Sequence, residues 1–144
     1  MLKLTQALAI IDGAIAEARK RNFLKLGIVV LDAGGHVVAF KREDGASFLR
    51  FELGYGKAWG ALAMGFGTRE LAERSQKQPA FINALAAVTQ GRMVPSPGGV
   101  LIAAGGEVIG AVGISGDTGD NDEVCALAGI QAAGLAGIPG AKGR

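Results

Sequence analysis

Leu31-Asp32-Ala33-Gly34-Gly35-His36-Val37-Val38-Ala39-Phe40 decides the architecture, because it reads as a strand end, a tight turn and a returning strand. The apolar, β-branched run from Leu26 to Leu31 leads into it and predicts a strand covered on both faces. His36 to Lys41 predicts the return, with His36, Val38, Phe40 and Arg42 on one face and Val37, Ala39 and Lys41 on the other. The same chemistry recurs in Ile102-Ala103-Ala104-Gly105-Gly106-Glu107-Val108-Ile109-Gly110-Ala111, which matches residues 31–40 at Ala, Gly, Gly and Val. Turns this short cannot join parallel strands, so both pairs are antiparallel and a Rossmann arrangement is excluded for them. The match is brief and centred on the turn. It is one hairpin type used twice, not a repeat protein.

Working outward, Leu4, Leu8, Ile11, Ile15 and Ala18 recur at helical steps before the first hairpin, with Thr5 as a cap and Asn22 at the end. After it, Asp44-Gly45 turns the chain and Ser47 can cap a second helix to about Met64, with Phe51, Tyr55, Ala58 and Leu62 as its apolar stripe. Gly54, Gly56 and Gly60 each cost such a helix about 1 kcal/mol against alanine, which points to close packing on another backbone, within the subunit or between subunits. Thr68 to Ser75 and Pro79 to about Val88 predict two short helices. Pro95-Ser96-Pro97-Gly98-Gly99 is a rigid loop feeding a strand, Val100 to Ala104, and Val108 to Ser115 forms its partner. A last helix is expected from near Asp120 to near Gly137. Helix, hairpin, helices, hairpin, helix describes an α/β (α+β) fold: an antiparallel sheet flanked by helices, in a single domain over residues 1–144.

Composition narrows the function. Apolar residues make up 49% and charged ones 19%, the balance of a globular chain and not a disordered one. Arg19, Lys20, Arg21 and Lys25 cluster where they complement the negative end of the first helix. No other basic stripe is interleaved with aromatics, so no nucleic-acid partner is expected. Cys125, the single cysteine, excludes an intrachain disulfide and a cysteine-cluster metal site, and its Ala/Leu-rich surroundings predict a buried small hydrophobe. No apolar run is long enough for a membrane helix, and Asp12 and Glu17 interrupt any signal-peptide pattern. A cytoplasmic protein without a membrane partner is expected.

Four places could carry chemistry. His36, the only histidine, could ligate haem iron, bind a metal or carry a proton; equally, Glu107 occupies its place in the second hairpin, so any polar residue may serve there. Arg42, beside Glu43 and Asp44, could hold a carboxylate bidentately or form an ordinary surface ion pair. Lys57 lies in the second helix among small residues, where it either reaches for solvent or faces a ligand. Gly113-Ile114-Ser115-Gly116-Asp117-Thr118-Gly119-Asp120-Asn121-Asp122-Glu123 ends a strand in a glycine-rich loop and opens a helix. Its acidic residues would repel a phosphate and cap the helix themselves, or form the edge of a pocket for hydroxyls or cations. Neither Gly54-Tyr55-Gly56 nor Gly65-Phe66-Gly67 follows a strand, so neither is a dinucleotide fingerprint. One histidine, far from any Gly-x-Ser-x-Gly elbow, makes a weak serine hydrolase.

The hairpin 32–40, Arg42 with Asp44-Gly45-Ala46, Lys57-Ala58, Pro97-Gly98-Gly99-Val100, Gly110 to Gly116 and Asp122-Glu123, taken in order, resemble the GlcG/HbpS-type haem-binding family. That family is also described as haem-degrading-like and related to the C-terminal domain of PduO-type proteins. The resemblance covers nearly the whole chain. It implies about five antiparallel strands with helices on the faces, in a profilin-like or roadblock-like arrangement, and assembly as homo-oligomers from dimers to octamers. It implies a small-molecule ligand, haem in some members, in an accessory role in small-molecule catabolism. An enzyme acting on a small hydroxy- or keto-acid, with Lys57 or Asp122 moving a proton, and an oligomeric assembly or regulatory module are the alternatives. The family's recurring polar positions fall here on His36, Arg42, Asp44, Lys57, Ser115 and Asp122, with Gly116 beside them; haem ligation varies within the family, and His36 is the iron contact expected on the haem-binding reading. This chain departs from the family in Lys41-Arg42-Glu43-Asp44, where an apolar residue commonly precedes Asp-Gly, and in the three glycines of its second helix.

Overall fold

The computed structural model describes residues 1–141. Its elements run α1 (Leu4–Lys20), β1 (Gly27–Asp32), β2 (Val37–Arg42), α2 (Arg50–Met64), α3 (Thr68–Lys77), α4 (Pro79–Val88), β3 (Gly99–Ala104), β4 (Glu107–Ser115), α5 (Gly119–Ala132) and β5 (Ala136–Ile138). The five strands form one sheet in the order β2-β1-β4-β3-β5, and every pairing is antiparallel. The two hairpins thus lie side by side, joined through β1 and β4.

Strand alternation sorts the core into two layers. Ile28, Val30, Val100, Ile102, Val112 and Ile114 face α1 and α5, which bring Ile10, Ile11, Ala14, Cys125, Ala126 and Ile130. Val29, Leu31, Leu101 and Ala111 face α2, which brings Ala58 and Ala61. At Gly113 the backbone of α2 lies directly on β4, because a Cβ there would overlap Gly54 O and come within 2.7 Å of Ala58 N. Gly56 is similarly pressed on Arg92 O at 2.7 Å. The helix glycines therefore serve contacts inside the subunit.

Three expectations need correction. Strict alternation along β2 fails, since the register shifts between Val30 and Leu31; both Val38 and Ala39 pack toward α1, while Phe40 packs toward α2. An inserted residue of this kind interrupts the two-residue period. The last helix does not reach Gly137. Gly134 takes φ +75, Gly134 N donates to Gln131 O and Leu135 N to Ile130 O. That left-handed C-terminal motif closes the helix, and Ala136–Ile138 pairs with β3 as the edge strand. At the start of α1 the cap position belongs to Lys3, whose amide donates to Gln6 Oε1 at 2.9 Å, and Thr5 lies inside the helix.

Candidate functional site

The candidate residues collect at two ends of the sheet. One collects the hairpin turns, with His36 and Glu107; the other collects the start of β1, the ends of β2 and β4 and the loops that follow. Gly27 pairs with both Arg42 and Ser115, so these three form one row across the sheet. Asp32, where the hairpin turn begins, is five residues along β1, about 17 Å away at strand rise. Arg42, Asp44, Lys57, Ser115, Gly116 and Asp122 gather around the row end. His36 stands at the other.

At the row end, Lys57 is almost wholly buried, and its Nζ donates to Ile114 O at 2.8 Å and Asp122 Oδ2 at 3.1 Å. Asp122, equally buried, also accepts from Asp117 N at 3.0 Å. Gly98, in the left-handed region at φ +121, closes over the pair; a Cβ there would sit 3.0 Å from Lys57 Nζ and 3.1 Å from Asp122 Cβ. Burial lowers Lys57 from the ordinary lysine range and raises Asp122 above the ordinary carboxylate range, and their mutual attraction opposes both shifts. Desolvation is the larger effect on each, so the pair is held together against the tendency of both groups to be neutral.

The acidic run after β4 is absorbed by structure. Asp117 accepts from Leu24 N at 2.7 Å, from Thr118 N and from Asn121 Nδ2, and the amide donors hold its carboxyl below the usual range. Thr118, not an acid, caps α5 by accepting from Asn121 N. Asp120 and Glu123 both pair with Arg69, tying α5 to α3. Gly116 is required where it is, since a Cβ would overlap Lys25 O and meet Leu26 Cα at 2.9 Å.

Arg42 and Ser115 are separated by Gly27, and the gap is filled by a residue that sequence reasoning missed. Arg50 opens α2 and lies over Gly27, where a Cβ would meet Arg50 Cβ at 2.6 Å; its Nη1 donates to Ser115 Oγ at 2.8 Å. Nothing in the spacing marks Arg50; only the docking of α2 brings it there. Arg42 is exposed and donates to Ala46 O at 2.9 Å. With Lys25, Lys41, Glu43 and the exposed Asp44 it lines an open cleft of about 420 Å³. Within it Lys41 is paired with Asp12 at 2.7 Å, and Glu43 with Arg19 at 3.1 Å.

At the hairpin end, the His36 side chain is 80% exposed and its Nδ1 lies 3.2 Å from Asp32 Oδ1. The same oxygen accepts from Gly34 N at 2.9 Å and His36 N at 3.0 Å. The His36 amide is the largest cause holding the Asp32 carboxyl below its usual range. Asp32 is the second residue that sequence reading used only as a turn former. His36 and Glu107, the matched positions of the two hairpins, line one cleft of about 390 Å³ with Leu2, Asp32, Val108 and Ile109. Among the described residues, no group of three or more His, Cys, Asp or Glu side chains could hold a metal ion. No helix of the described residues is long and apolar enough to cross a membrane.

A mixed fold with helices packed on both faces of an open antiparallel sheet, and a histidine-bearing cleft at its hairpin end, defines the class. The chain belongs to the family described as haem degrading protein HbpS-like, whose pattern matches residues 2–131. It is 34% identical over 116 residues, 78% of this chain and 81% of the relative, to an uncharacterized 15.0 kDa protein of the dhaT-dhaS intergenic region of Citrobacter freundii. Among solved structures, a PduOC:heme complex superposes with a TM-score of 0.84 at 28% identity, covering 94% of this chain and 96% of that one. The Klebsiella pneumoniae protein ORFY matches with a TM-score of 0.84 at 27% identity, over 92% of this chain and 90% of its own. HbpS matches with a TM-score of 0.79 at 28% identity, over 90% of this chain and 88% of its own.

Proposed function

We propose that the protein binds a small ligand, haem foremost, at the hairpin end of the sheet, with His36 as the iron ligand. The state of the His36 ring carries this reading. Asp32 on Nδ1 favours the tautomer with the proton there, which leaves the Nε2 lone pair facing outward. A carboxylate on the far nitrogen is the arrangement that orients metal-bound histidines in general and raises their basicity. The cleft beside it is within the size range of small-molecule sites and has apolar walls in Leu2, Val108 and Ile109. The residues present therefore fit the group: His36 would ligate iron, Asp32 would hold the ring, and the apolar walls would cover part of the porphyrin. Haem, when bound, would supply the iron centre. That a structure so alike was solved with heme supports haem over other planar ligands.

Within the same proposal, Arg42 and Asp44 offer a second, open place where a carboxylate can be held, and Lys57, Ser115, Gly116 and Asp122 shape the scaffold beside it. The accessory role in catabolism and assembly as a homo-oligomer rest on the family resemblance, and the cytoplasmic location on the sequence pattern alone. The enzyme alternative asks for a desolvated, lowered Lys57, and burial does lower it. However, its ammonium is committed to Asp122 and Ile114 O beneath Gly98, which leaves binding the better-supported reading.

Titration with haem tests it. The wild-type protein is expected to give a saturable, shifted Soret band, lost in His36→Ala and weakened about 10–100-fold in affinity in Asp32→Asn. A free-haem spectrum throughout the wild-type titration ends the haem reading. A wild-type spectrum in His36→Ala moves the iron ligand elsewhere.

A further inference from the structure

Two arginines meet at Gly27 with their charges unanswered. Residues directly paired across an antiparallel sheet project to the same face, so Arg42, Gly27 and Ser115 share one, and Arg50 lies over Gly27 on it. Arg19, Arg21, Arg69 and Arg74 are each paired with an acid. Among the described residues, Arg42 and Arg50 have no carboxylate partner: Arg42 donates to Ala46 O and Arg50 to Ser115 Oγ. The buried acid at this end, Asp122, is committed to Lys57. Burial is the main cause that lowers Lys57, and the Arg50 charge adds to it, so Arg50 stands close enough to oppose a further cation. Ser115 is 2% exposed, and its oxygen accepts from Arg50, yet among the described residues no acceptor takes its hydroxyl proton. Buried polar groups ordinarily find partners for what they can donate. The half-buried Arg50 likewise has N–H donors left over, with no acceptor among the described residues. A positive fork and a hydroxyl proton, both donors, are thus left together, and the complement of such a pair is an anion.

We propose that Arg50 and Ser115 hold the carboxylate of a small monoanionic organic acid, with Arg42 as a second positive charge beside them. This deepens the reading of Arg42 as a place for a carboxylate and moves the anchor to Arg50; it lies at the end of the sheet away from His36 and does not depend on haem. Geometry selects the carboxylate, because the planar guanidinium matches its two oxygens with two parallel bonds. Charge selects a monoanion. Asp44, exposed two residues after Arg42, already offsets part of the arginine charge and would repel a phosphate dianion more strongly. Phe48 and Leu49, the two residues before Arg50, are 81% and 48% exposed. An acid with a hydrocarbon body gains by covering such surface.

Calorimetric titration of the ligand-free protein with benzoate, in a low-chloride buffer, tests the site, and its failure leaves the Soret titration untouched. Saturable binding of benzoate is expected, tighter than that of acetate or inorganic phosphate. Arg50→Met should weaken it about 10–100-fold, and Ser115→Ala about 2–10-fold. Arg50→Lys, which keeps the charge and loses the fork, should also weaken it, by about tenfold. Lys20→Gln removes one surface charge from α1 and should keep the wild-type affinity. Thermal melts show which variants fold; if Arg50→Met does not, Arg50→Lys and Ser115→Ala carry the test. No saturable heat from benzoate or acetate at about 10 mM would overturn the proposal. So would tighter binding of phosphate, wild-type affinity in the folded Arg50 variants, or an equal loss in Lys20→Gln. Acetate as tight as benzoate would overturn the hydrocarbon body.

Discussion

Lys57 reaches the interior because Gly54, Gly56, Ala58, Gly60 and Ala61 leave no bulk on its side of α2. Removing it strands Asp122, so Lys57→Met should cost about 3–5 kcal/mol, whereas Lys57→Met with Asp122→Leu should recover most of the loss. The deficit of the single variant should also depend on pH. Asp122 titrates above its unfolded value of 3.8, so the protonated acid supports the native state fully below that value. That support is lost as pH rises through the folded pKa, and the deficit should be larger at about pH 8 than at about pH 4. Urea melts of the three proteins at both pH values check this; equal losses for single and double variants would refute the pairing. The sequence marked Lys57 and Asp122 as unusual but offered solvent, ligand or capping as their uses. Their partnership spans 65 positions and leaves no local signature. Asp32 was more accessible to reading, since an acid four residues before a histidine across a tight turn brings the two side chains together.

At the scale of elements, the glycines around α2, in the helix itself and in the β4 strand beneath it, separate into two kinds. Gly113→Ala places a methyl against Gly54 O and Ala58 N and should cost about 1–3 kcal/mol or more through overpacking of α2 on β4. Gly60→Ala meets only Met93 Cγ at 3.4 Å, an ordinary contact with a flexible side chain. It should stabilise by up to about 1 kcal/mol through lower backbone entropy in the unfolded chain and better helix propensity. Thermal melts of both variants give the signs, and a destabilised Gly60→Ala would mean that Met93 cannot yield. Sequence composition identified close approach as the reason for such glycines, but not which backbone approaches. It likewise placed both hairpins, whose turn chemistry is local. The bulge in β2 and the strand Ala136–Ile138 escaped it, because one is set by pairing register and the other by a free edge on β3.

Across the whole molecule, α1 and α5 close over one face of the sheet, and Cys125 sits where they meet, with no exposed surface. Burial pushes its thiol up to about 12, so both access and ionisation oppose reaction. A thiol reagent at about pH 8 should leave the native protein unmodified and label one group per chain in denaturant, with native-state labelling tracking global opening. Modification of native protein at the rate of a free thiol would mean that this layer is not closed. Periodicity, turn chemistry and the ordered polar positions by themselves determined the antiparallel α/β class, both hairpins, a buried Cys125 and the family. Those signals act within a few residues or along the chain order, so they survive without coordinates. Only the tertiary structure decided that six of the seven singled-out residues share one end of the sheet and His36 the other, and that Lys57 answers Asp122. Such facts depend on which strands adjoin and how α2 crosses them, through contacts between distant segments that no short stretch encodes.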